Sequence, residues 1–180
     1  MIDAHIFLSY IDYLFHDIPS VLCGVLVVIL CIGTIFIIKW KGVKNGIRFV
    51  ALLIVVEYIY MVFCSTVFFR VTKQMRKYDF NPFWSYNDPK YFVENIMNVL
   101  AFIPIGLLMG AGFKGLKWWC AMLIGVCLSV SIESLQFVFK KGFSEVDDVM
   151  HNTLGCLLGY VAYCLIIWFV RKTLTVKFFG

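Results

Sequence analysis

The chain has 180 residues, 62% of them hydrophobic and 15% charged, with a mean hydropathy of +0.88. Soluble domains carry about 45–50% apolar and about 25% charged residues, and disordered chains are poorer still in apolar side chains, so both classes are excluded. The formal charge of +5 needs no nucleic acid, because Lys and Arg of a membrane protein collect in loops beside the headgroups.

Residues 1–17 hold no Lys or Arg, which excludes the basic start of a cleavable signal peptide. Ile6, Tyr10, Tyr13 and Leu14 fit the apolar face of an interfacial helix. Pro19 then opens the first of five stretches able to cross a bilayer: 21–38, 47–69, 96–112, 118–139 and 153–170. The expected fold is an all-α polytopic transmembrane helix bundle of about five spans with an N-terminal interfacial helix. No basic residue precedes the first span and Lys39, Lys41, Lys44 and Arg48 follow it, which predicts an outside N-terminus and a cytoplasmic C-terminus. The seven cysteines form no CxxC pair and lie in apolar surroundings, so they read as small hydrophobes rather than disulfides or metal ligands.

Loop 70–95 is basic at its start (Arg70, Lys73, Arg76, Lys77) and then aromatic (Tyr78, Phe80, Phe83, Trp84, Tyr86). Such a loop is either an interfacial anchor or a lid. Ionisable groups inside spans are costly and therefore informative. Glu57 stands alone in the second span, where a structural role suffices. Ser129, Glu133, Gln136 and Lys140 follow helical steps along the fourth. Asp147 pairs with His151 and Asp148 with Asn152 at the start of the fifth, while Asn95 and Asn98 share a face at the start of the third. On the expected topology these groups meet at the outer leaflet beneath the loop and form an outward-opening polar pocket. Its candidate ligand-binding residues are Asn95, Asn98, Glu133, Gln136, Asp147, Asp148, His151 and Asn152. Asp147, Asp148, His151 and Glu133 have metal-compatible spacing, but no HExxH or second histidine supports a metal, and no cofactor is expected. Gly155 and Gly159 form a GxxxG suited to close packing within the monomer. Pro104 and Gly106 permit a kink that frees backbone groups for the pocket.

The runs NIMNVLAFIPIGLLMG, SIESLQFVF and EVDDVMHNTLGCLLGY, preceded by DFNPF, together resemble the VanZ-like family over about residues 70–168. The resemblance implies a core at 70–170 with an aromatic lid loop and three spans. This core would follow an N-terminal unit at 1–69 and precede a basic tail at 171–180. It also implies a cell-envelope membrane protein contributing to glycopeptide resistance of the teicoplanin type. By the same resemblance Arg76 joins the site. Gly142–Phe143 stands where many members carry an arginine, leaving Lys141 or Arg76 to supply the positive charge.

Three functions stand as alternatives. The first is binding of an envelope lipid, a lipid-linked wall component or a lipoglycopeptide in the polar pocket. The second is a membrane-embedded enzyme on a lipid-linked substrate, with Glu133 and Asp148 as the catalytic acid–base pair and Arg76 or Lys141 holding an anionic group. The third is a transporter using Glu57 and Glu133, weakened by the lack of an inverted repeat. Membrane lipids are the expected partners and nucleic acid is not; the oligomeric state is not legible.

Overall fold

The computed structural model describes residues 28–29, 32–39, 42–75, 77–87 and 89–179. The expected interfacial helix at 1–17, much of the 21–38 span and Arg76 lie outside these residues. The described residues of that span, 28–29 and 32–38, are helical and leave Ile32, Ile35 and Phe36 exposed. After Gly42, whose φ of 83° marks the turn, helix α1 runs Val43–Phe63 and continues through a π-helical turn, Cys64–Phe68. Helices α2 (Pro89–Gly112), α3 (Trp118–Phe139) and α4 (Val146–Phe179) come next. Between α1 and α2 lie strand β1 (Lys77–Asp79) and a 3₁₀ turn, Trp84–Asn87; between α3 and α4 lies strand β2 (Phe143–Glu145). The two strands pair in parallel, with Tyr78 opposite Ser144.

Among the described residues, four helical segments are long and apolar enough to cross a membrane: Val43–Phe68, Tyr91–Gly112, Trp118–Phe139 and Val146–Thr173. Their outer faces carry Val56, Leu165 and Trp168, each 59–63% exposed. Apolar exposure on this scale marks an interaction surface, and on helices of this length that surface suits lipid. The fold is an all-α membrane bundle carrying one small parallel strand pair.

The core joins Val55, Val62 and Val67 of α1 and its π turn to Phe102 and Ile105 of α2, Ile132 of α3 and Cys156 of α4. Helix α4 packs most extensively on α2, and glycines set the approach. A Cβ on Gly155 would lie 2.3 Å from the Val99 carbonyl oxygen, one on Gly159 2.0 Å from that of Ile103, and one on Gly106 1.9 Å from that of Cys156. The GxxxG thus packs within the chain, as its spacing predicts.

Helices α2 and α4 both begin before the apolar stretches that betray them. Pro89 occupies the first turn of α2, where a missing N–H costs little, and Asp147 and Asp148 occupy the first turn of α4, where they meet the positive end of its dipole. Pro104 lies inside the continuous α2. One turn before it the Tyr58 hydroxyl donates to the Ala101 carbonyl at 3.0 Å and bonds α1 to α2. The chain reverses between α2, α3 and α4 through short connections, which places the ends of α1 and α3 beside the starts of α2 and α4. The strand pair lies at this end.

Candidate functional site

The segment over this end of the bundle is held by two side chains from the first turns of α4. Asp147 is fully buried. Its Oδ1 accepts the Phe83 N–H at 2.7 Å, and its Oδ2 accepts the Ser85 N–H at 3.2 Å and the Ser85 hydroxyl. Asn95 on α2 donates in turn to Ser85 Oγ at 2.9 Å. Phe83 has φ 67°, a left-handed conformation that costs about 1–3 kcal/mol in a bulky residue and persists only where surroundings enforce it. One turn along α4, His151 Nδ1 lies 2.6 Å from the Asp147 carbonyl and Nε2 lies 2.7 Å from the Tyr86 hydroxyl. A carbonyl only accepts, so Nδ1 carries a proton, and Nε2 shares a hydrogen bond with the Tyr86 hydroxyl. Asp147, His151 and Asn95 therefore pin the aromatic segment in place.

Asp148 points elsewhere. Its Oδ1 accepts from Asn98 Nδ2 at 2.7 Å, and it lines a cleft of about 390 Å³ with Glu94 and Glu145. Arg70 and Lys73, from the stretch after the π turn, face these three carboxylates, and Trp84, Tyr91 and Phe143 complete the wall. Arg70 is the positive charge that acts on Asp148. Its place is made by Gly142: a Cβ there would lie 2.8 Å from Arg70 Nη1 and 2.3 Å from Gln136 Oε1. Gln136 is buried, donates to the Thr66 carbonyl at 3.2 Å and leaves Oε1 without a hydrogen-bond partner on the side of the guanidinium. The expectation that Lys141 supplies the positive charge fails, because Lys141 Nζ donates to the backbone carbonyl of Arg70 at 2.8 Å.

A second space adjoins the cleft. Glu133 is buried and its Oε2 accepts the Glu145 N–H at 3.0 Å. Both residues line a groove of about 810 Å³ with walls of Tyr78, Phe80, Val130, Phe137, Val138 and Val149. Glu145 borders the cleft and the groove alike. Glu133 lines the groove and Asp148 lines the cleft. Asn152 donates to Ser129 Oγ at 2.8 Å and ties α4 to α3. Among the described residues no three of His, Cys, Asp and Glu converge as a metal site requires.

Burial, reinforced by the negative charges of Asp148, Glu94, Asp147 and Asp79, pushes the Glu145 carboxyl from 4.5 up to about 8. An acid whose folded pKa is raised holds a proton that the unfolded chain has lost, so its contribution to stability is full below the unfolded value and fades as pH rises through the folded one. The melting temperature is expected to fall between about pH 5 and about pH 8, and Glu145→Gln is expected to flatten that slope. A slope unchanged in Glu145→Gln would assign it to other groups.

A profile match covers residues 25–168, most of the chain, and its family is VanZ/LLP1. The chain belongs to the VanZ/LLP1 family. It is 39% identical over 74 residues to Protein VanZ of Enterococcus faecium, across 41% of this chain and 46% of that relative. The chain thus spans about half the length of the curated relative it matches, and no solved structure matches it. The segments that resemble VanZ-like proteins, residues 79–83, 95–110, 131–139 and 145–160, contribute Glu145 and Asp148 to the cleft and most of the groove. Arg70, Glu94 and Glu145 of the cleft were not singled out from sequence. The negative surplus of the Glu145–Asp148 run was visible, but Arg70 reaches it only through the approach of α1.

Proposed function

We propose that this VanZ-family protein sits in the cell membrane with its N-terminus outside and holds a lipid-tailed ligand of the cell envelope at its outward-facing end. The polar head occupies the cleft and the apolar tail occupies the groove. Through this ligand the protein contributes to glycopeptide resistance of the teicoplanin type. The supporting observation is Glu145, which borders a charged space on one side and an apolar one on the other. An amphiphile needs this junction, whereas a soluble metabolite has no use for the groove and a plain hydrocarbon none for the charges.

The test is susceptibility of a sensitive Gram-positive host expressing wild type, Arg70→Gln or Asp148→Asn at equal level. Wild type is expected to raise the inhibitory concentration of teicoplanin and leave that of vancomycin unchanged, and both variants are expected to lose the protection. Protection retained in both variants would remove the cleft from the function. Orientation is read separately, by an impermeant thiol reagent on Asn81→Cys in a chain whose native cysteines are replaced by alanine; labelling only from the cytoplasmic side overturns the outward-facing site.

A further inference from the structure

This inference rests on the lipid-binding reading and narrows it to one class of head group. We propose that the cleft takes a phospholipid head bearing a phosphate and a primary amine, the phosphate on Arg70 and Lys73 and the amine on Glu94 and Glu145, with an acyl chain of the same molecule in the groove.

Size limits the head first. The cleft holds about 390 Å³, and at about 30 Å³ per water-sized group it accommodates roughly a dozen such groups. A phosphate with a short amine fits in that space.

Charge then selects within that size. Two cations reach the cleft from the stretch after the π turn, and three carboxylates reach it from α2, β2 and α4. An anionic head faces three acidic side chains, a purely cationic one faces Arg70 and Lys73, and a neutral sugar leaves both sets uncompensated. A head carrying both signs satisfies both walls. Within the acidic set, Asp148 already has the Asn98 amide and the charge of Arg70. Glu145 has no such support: its carboxyl is pushed up first by burial and then by the carboxylates of Asp148, Glu94, Asp147 and Asp79.

The aromatic wall decides the kind of amine. Quaternary ammonium groups are held in boxes of separated rings. Here Trp84 packs directly on Tyr91 and Phe143, with centroids 4.6 and 5.5 Å apart and planes tilted by 57° and 79°, so Trp84 leaves no gap to either ring for a quaternary group. A primary ammonium has three N–H donors and can bridge two carboxylates; a quaternary one has none.

The full chain in detergent micelles is offered an equimolar mixture of dioleoyl phosphatidylethanolamine, phosphatidylcholine and phosphatidylglycerol, and retained lipid is counted by native mass spectrometry. Retention of the ethanolamine lipid roughly tenfold above the other two is expected, the size of a charge-assisted hydrogen bond. The double variant Glu94→Gln/Glu145→Gln, verified as folded by circular dichroism, is expected to bring it down to the choline lipid. Val138→Trp, which fills the groove, is expected to lower retention of all three. Preference for the choline lipid, preference for the glycerol lipid, or equal retention each overturns the amine assignment, and the first two leave the lipid-binding reading standing. Retention of no lipid overturns both. Displacement of the lipid by free phosphoethanolamine at equal concentration overturns the acyl chain's place in the groove.

Discussion

Asp147→Asn is expected to release the lid while leaving the helix bundle folded. The aspartate oxygens receive two backbone N–H groups and one hydroxyl in a fully buried position. An asparagine keeps one acceptor and turns an NH₂ donor toward at least one of those donors. Stranding a buried donor costs about 1–3 kcal/mol, and the left-handed Phe83 backbone adds about 1–3 kcal/mol of strain that this anchor helps to offset. The sum is enough to turn a closed lid into one that is open much of the time, while the packing of α2 on α4 is untouched. Hydrogen exchange at residues 77–87 should accelerate by two orders of magnitude or more, at about 1.4 kcal/mol per factor of ten, with exchange in α2 and α3 unchanged. Equal protection of the lid in wild type and variant would mean that the strand pair and the Tyr86–His151 contact hold it without Asp147.

Gly159→Leu is expected to have the largest effect on stability of any single change. The first atom of any side chain at 159 meets the Ile103 carbonyl oxygen at 2.0 Å and the Leu107 nitrogen at 2.9 Å. Both belong to the backbone of α2, which cannot turn aside as a side chain can. The helices must separate along their length, and Gly155 and Gly106 lose their contacts with them. The cost should reach or pass the ~3 kcal/mol upper end of ordinary overpacking. Thermal unfolding in detergent measures it, with the lipid-facing Leu158→Ile as a control expected to change little. If the GxxxG served dimerisation instead, Gly159→Leu would change the oligomeric state in size-exclusion chromatography and leave the melting temperature near that of the wild type.

The apolar runs placed the helices because hydropathy is the property a bilayer selects. Helix α3 lies at Trp118–Phe139, as expected, since lysines bound its apolar run on both sides. The starts of α2 and α4 were hidden because their first turns are polar, and hydropathy registers only the apolar turns beyond them. Three-residue strands carry too few alternations to show a period, so β1 and β2 were illegible. The Ser129–Glu133–Gln136 stripe was legible from helical spacing, and all three are buried. Asp147 and Asp148 were read as one acidic pair, yet neighbours on a helix point about 100° apart. That angle sends one carboxylate into the lid and the other into the cleft with Asn98. Arg70 was out of reach of sequence reasoning for a different reason. Its partners are distant in the chain, and nothing local distinguishes it from the other basic residues of its segment.

Gly142 gives this site a property that its acidic residues lack. Each carboxylate is committed to its own stretch of backbone, but the guanidinium is defined by a space that any sufficiently long cation can fill. The volume above Gly142 is reached by Arg70 from the far side, and a residue at 142 would reach it from directly beneath. A Cβ at 142 would crowd Arg70 Nη1, so any side chain there displaces Arg70 from its present place. Glycine at 142 leaves the space beside Gln136 to a guanidinium rooted just beyond the end of α1.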